Sequence, residues 1–142
     1  MTEPVSLASL MTPSKTVEID FPGHTGFKVS LCYLAREELL KLRKKCITQK
    51  FDRKTRQPTE VLDEEKFLTE YVKAVIKGWS GFKYRILEEL LLVDTSNLDP
   101  EDELGYTQEN AELLMKNSSE FDTWVTETVA DLENFTTSRS KE

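Results

Sequence analysis

The chain is poor in the residues that build covalent or metal-held scaffolds. It has two cysteines, Cys32 and Cys46, and one histidine, His24, in 142 residues. Zinc sites group four Cys or His ligands at short spacings, and no C-x-x-C occurs, so a zinc domain is excluded. Two distant thiols point to reduced core residues rather than a disulfide framework. Five glycines and five prolines are too few for a collagen-like or low-complexity chain. No apolar run approaches the ~20 residues of a membrane-spanning helix. An acid, Glu3, stands where a signal peptide carries basic residues, so no targeting segment is read and a cytoplasmic location is expected. G-x-S-x-G, phosphate-loop and dinucleotide glycine patterns are all missing, which leaves no enzyme signature and no expected cofactor.

Charge is plentiful and uneven. The net charge is −7. Residues 36–56 carry nine basic and three acidic side chains, while residues 88–142 carry fifteen acidic and three basic ones. An acidic chain makes a poor general nucleic-acid binder. The separation of sign predicts a molecule with two electrostatic faces.

Hydrophobic periodicity predicts an α+β fold, mainly α. Val17, Ile19 and Phe21 alternate, as do Phe27, Val29, Leu31 and Tyr33, with the turn formers Pro22 to Gly26 between them. This reads as a β-hairpin. A lone hairpin is marginal in water, so it is expected to pack on a small bundle of four to five helices. The first helix covers 35–47, with Leu39, Leu42 and Cys46 on one stripe, Leu40 and Ile47 beside it, and its apolar stripe on the hairpin. Residues 48–61 lose periodicity and read as a basic loop. Asp63 caps the next helix, whose acidic first turn suits the dipole. Gly78 is its expected stop, with Trp79 buried among Phe67, Tyr71 or Leu87. Residues 82–92 read as a helix, with a strand at Leu90–Val93 as the alternative. An acidic loop fills 94–105. Thr107 caps a short helix, and Asn117-Ser118-Ser119 starts the last one, which buries Phe121, Val125, Thr128, Leu132 and Phe135. A flexible leader (1–15), one domain (16–135) and a flexible tail (136–142) complete the reading.

Chemistry-bearing candidates are few. His24 falls in the hairpin loop and reads as a loop residue rather than a general base. The acidic stretch from Asp94 fails as a calcium loop, because Asp99 stands where the sharp turn needs glycine. The basic cluster Lys44, Lys45, Lys50, Arg53, Lys54 and Arg56 is the candidate partner-binding surface.

From Gly78-Trp79-Ser80-Gly81-Phe82 to Tyr106-Thr107, Glu109-Asn110-Ala111 and Leu114, over residues 16–135, the sequence resembles the tail assembly chaperones of long-tailed bacteriophages. Ala35 departs from that pattern, where relatives place a capping Ser or Thr. The resemblance implies a non-enzymatic protein that binds the tape measure protein and keeps it soluble while the tail tube assembles. It also implies a role for the tail tube protein, through a frameshifted longer form, and absence from the mature virion. Gly78, Trp79, Tyr106, Thr107 and Asn110 are then motif residues of structural type. Competing readings are a structural virion component, such as a head–tail or tail completion protein, and a regulator that places the basic segment on nucleic acid. Self-association through opposite charges is a further expectation.

Overall fold

The computed structural model describes residues 4–11 and 15–136. The first element is a single exposed helical turn, α1 (Leu7–Leu10). Strands β1 (Thr16–Asp20) and β2 (Lys28–Cys32) then form the expected antiparallel hairpin, with Val17 opposite Leu31 and Ile19 opposite Val29. Helix α2 (Arg36–Lys45) follows, then strands β3 (Ile47–Asp52) and β4 (Gln57–Leu62). Next come α3 (Glu64–Val75), β5 (Ile76–Ser80) and α4 (Tyr84–Leu90). Helices α5 (Gln108–Asn117) and α6 (Ser119–Ala130) and a 3-10 turn, Leu132–Phe135, complete the described chain. The fold is α+β with an N-terminal hairpin.

The helix starts follow the sequence. The Asp63 carboxylate accepts from the Lys66 amide, the Thr107 hydroxyl from that of Asn110, and the Ser118 hydroxyl from that of Phe121. Each satisfies an amide that the first helical turn leaves without a partner. Ala35 gives α2 no such bond.

Three expectations are corrected. Gly78 does not end a helix. Helix α3 stops at Val75, and Gly78 lies inside β5, which pairs with β2 to give a three-stranded sheet in the order β1-β2-β5. The register slips between Ser30 and Leu31, so that Val29 faces Trp79 and Leu31 faces Ile76. The bulge inserts one extra residue, Lys77, which is exposed. Without it, Ile76 and Trp79, three residues apart, would lie on opposite faces of the strand. Trp79 is therefore half-buried against Phe82 and Tyr106, at ring-centre distances of 5.2 and 5.0 Å, rather than buried among helix residues.

Second, residues 48–61 are not a loop but the body of a hairpin, β3–β4, with Ile47 opposite Leu62 and Asp52 opposite Gln57. Its two faces are almost wholly exposed, so no burial pattern marks it in the sequence. Third, α6 ends at Ala130, and Leu132 is exposed, whereas Val129 is buried. The alternative strand at Leu90–Val93 does not form. The expected fraying of 136–142 falls almost entirely outside the described residues.

The core is one cluster drawn from every layer. Phe27 and Phe82, both fully buried, stack at 4.2 Å with an interplanar angle of 6°. Phe21 meets Phe27 on one side, and Phe121 and Trp124 of α6 on the other. Val72, Val75 and Ile76 approach from the α3–β5 junction. Cys32 and Cys46 are both buried and free.

Gly81 has φ +71, and a Cβ there would land on the carbonyl oxygen of Gly26. Gly23 has φ +83 and open space around it. Gly81→Ala is therefore expected to cost about 2 kcal/mol or more, combining left-handed strain with displacement of the Gly26 backbone. Gly23→Ala should cost only the strain. Urea unfolding of the two variants measures the difference, and equal losses would show that the backbone contact carries no energy.

Candidate partner-binding groove

Helix α2 buries none of its residues completely. Its main neighbour is α3 rather than the hairpin, and Leu39 and Leu42 are only partly covered. This leaves a groove of about 700 Å³ between α2 and α3 on one side and α5 and α6 on the other. Its floor is apolar, with Leu39, Phe67, Leu68, Tyr71, Met115 and Val129. Leu113, 47% exposed, stands at the wall.

The rim is acidic. Glu64, Glu65, Glu109, Glu112 and Asp122 line it, against Arg43 and Lys116. Both bases are engaged. The Arg43 guanidinium lies 5.3 Å from the Phe67 ring centre, and Lys116 reaches Glu65 at 4.0 Å. Glu112 ties two helices together by accepting from the Thr69 hydroxyl at 3.0 Å and the Gln108 amide at 2.8 Å. Glu64, Glu109 and Asp122 have no ion-pair partner among the described residues. An apolar floor under unpaired carboxylates suits an amphipathic segment with basic flanks.

The six basic residues singled out from the sequence fall in two places. Lys44 and Lys45 sit in the last turn of α2, where cations complement the helix dipole. Lys45 is engaged with Glu70 at 2.9 Å. That hydrogen bond and charge hold the Glu70 carboxyl below its ordinary range and the Lys45 ammonium above its own. Lys50 lies on β3, and Arg53, Lys54 and Arg56 form the β3–β4 turn. Arg56 has φ +60, and the Asp52 carboxylate accepts from the Lys54 amide.

The motif residues meet around β5. The Trp79 indole donates to the Leu104 carbonyl at 2.9 Å, and the Tyr106 hydroxyl donates to that of Ile76 at 3.1 Å. Thr107 caps α5, and the Asn110 amide donates to the Gly105 carbonyl. These bonds fasten the end of the acidic loop to the sheet edge and fix where α5, one wall of the groove, begins. The loop is also held by backbone hydrogen bonds from the Tyr84 and Arg85 amides to the Asp102 and Pro100 carbonyls, and by Lys83 and Arg85 on Glu101, which lower that carboxyl's pKa, Lys83 more strongly. Asp94 is likewise lowered, by hydrogen bonds from Ser96. His24 stacks on Phe21 and lies 3.9 Å from Glu89. Among the described residues, no group of three or more His, Cys, Asp or Glu is placed to hold a metal. No helix among them is long and apolar enough to cross a membrane.

The groove escaped the sequence reading because its residues come from four helices. Leu113 was the available signal, an apolar side chain beside the Ala111, Leu114 and Met115 stripe rather than on it.

Helices α2 to α6, both walls of the groove and the basic hairpin all lie within a segment that a family model matches. The match, to the YdaY prophage protein family, covers residues 35–142. The chain belongs to this family and is phage-derived. No curated protein and no solved structure matches it.

Burial raises the pKa of both Tyr71 and Tyr106 above the ordinary tyrosine value, with nearby carboxylates adding to the shift. Their contribution to stability is full below about pH 10, where the unfolded phenols ionise, and is lost as pH rises through the higher folded values. Phenolate absorbance should therefore lag behind that of the denatured chain on alkaline titration. Trp79→Phe keeps the ring contacts but orphans the Leu104 carbonyl, and is expected to cost about 1 kcal/mol in chemical denaturation.

Proposed function

We propose that this phage-derived protein is a non-enzymatic tail assembly chaperone. It binds the tape measure protein and keeps it soluble while the tail tube forms around it. The observation that carries the reading is the apolar groove with its acidic rim. A long, largely helical client presents apolar stripes that aggregate when unprotected. A groove between helices accepts one such stripe, in the way amphipathic helices dock through regularly spaced apolar anchors. The net charge of −7 then keeps the complex dispersed. The resemblance of the Gly78-Trp79 and Tyr106-Thr107 segments to tail assembly chaperones supports the same reading. On it, the protein acts in the host cytoplasm and leaves before the virion matures. A frameshifted longer form recruits the tail tube protein, and neither a cofactor nor nucleic acid takes part.

Co-expression with the tape measure protein of the same phage tests this. The client is expected to move from pellet to supernatant and to co-purify with the chaperone. Leu113→Lys, at an exposed wall position, should reduce client recovery at least about tenfold by placing a charge in the apolar channel. An insoluble client whose solubility is unchanged by the wild-type protein would overturn the proposal.

A further inference from the structure

The β3–β4 hairpin is an arm without a place on its own body. Asp63 donates its amide to the Cys46 carbonyl at 2.8 Å, which closes the base of the arm where buried Cys46 anchors it. Beyond that base, only Asp52 and Leu62 are partly covered, and every other residue of the two strands is exposed. Six residues per strand carry the tip about 20 Å outward.

The arm is nonetheless patterned. Strand pairing places Ile47 opposite Leu62 and Phe51 opposite Pro58. Alternation puts these four on one face, with the polar pair Gln49 and Glu60 between them, and Phe51 is 67% exposed. The other face carries Thr48, Lys50, Asp52, Gln57, Thr59 and Val61. Arg53, Lys54 and Arg56 crown the turn. A two-stranded ribbon with an exposed apolar pair, Phe51 and Pro58, beside a cationic tip is marginal by itself and gains from a surface to lie on.

The groove has the complementary features: an apolar floor, and three rim carboxylates without cationic partners among the described residues. We propose that, when no client fills the groove, the arm of one copy inserts into the groove of a second copy. Phe51 enters the apolar channel beside Leu113, and Arg53, Lys54 and Arg56 meet Glu64, Glu109 and Asp122. Arm and groove are different surfaces of the same chain, so the contact is heterologous. A joined pair still offers one free groove, on the copy that gave its arm, and one free arm, on the copy that received it, so the assembly grows head to tail instead of stopping at a symmetric dimer. The charges set encounter rate and register, and Phe51 holds the contact.

Sedimentation velocity of the full chain tests this without any client, so its failure leaves the chaperone reading standing. At low salt the mean mass is expected to rise with concentration without a plateau, and about 0.5 M salt should weaken association by screening the rim pairs. An arm variant, Phe51→Ser with Lys50→Glu and Arg53→Glu, and a groove variant, Leu113→Lys with Glu109→Gln, should each remain monomeric. All five positions border solvent, and circular dichroism checks that both variants fold. Mixed together, the two variants have one intact arm and one intact groove between them, and should form a 1:1 complex and nothing larger. Wild type that stays monomeric at every concentration, variants that associate like wild type, or a mixture that stays monomeric would each overturn the proposal. A monomer at every concentration would assign the groove to the client or to this chain's own terminal residues.

Discussion

The stack of Phe27 on Phe82 lies just beyond Lys28 and Ser80, the last paired residues of β2 and β5, and carries that junction from the sheet into the core. Phe27 ends the first hairpin loop, and Phe82 begins the turn from β5 into α4. From this pair, ring contacts run outward in both directions. One branch passes through Trp79 to Tyr106 at the start of α5, the other through Phe21 to Phe121 and Trp124 on α6. The two helices that form one wall of the groove are thus referenced to a single pair of rings. Each contact combines apolar burial with the offset or edge-on geometry that aromatic quadrupoles favour. The glycine pair Gly26 and Gly81 belongs to the same junction, because only backbones without a side chain at Gly81 let the two turns come this close.

The other wall is built differently. Helix α2 has no cap side chain and no buried residue, and it rests on α3 through Leu39, Leu42, the Arg43–Phe67 contact and the Lys45–Glu70 pair. Exposed ion pairs contribute little net stability. The groove therefore has one wall set by deep aromatic packing and one whose outer helix, α2, is held only by shallow contacts on the well-packed α3. That contrast suits a binding site for extended apolar segments, where one side fixes position and the other adjusts to width.

What the sequence disclosed follows from how much each element depends on local chemistry. The capped starts at Asp63, Thr107 and Ser118 and the alternation of β1 and β2 were legible, because caps and period-2 burial are local signals. Strand β5 was not, because Ile76 and Trp79 continue the spacing of Val72 and imitate one more turn of α3. Only the bulge at Lys77 reconciles that spacing with a strand, and a bulge is specified by the partner strand. The β3–β4 arm was invisible for the opposite reason: with both faces in water, its sequence has no burial to record. The basic residues on it were readable as a charged cluster, but that four of them ride on a projecting hairpin was not. The groove, assembled from four helices, has no sequence counterpart beyond an apolar Leu113 out of line with its stripe.

The family match begins at residue 35, after β2, which is the central strand of the sheet. The matched segment alone supplies β5, whose inner edge then has no neighbour, and leaves Phe82 without its stacking partner. Its hydrophobic interior is open along one side, in the shape of a single missing ribbon. Strand β2 thus serves this body as a built-in donor strand, held in place by covalent continuity. A chain carrying only residues 35–142 would present an unsatisfied edge capable of accepting the same ribbon from outside, and residues 16–33 supplied as a separate peptide are the natural complement to it.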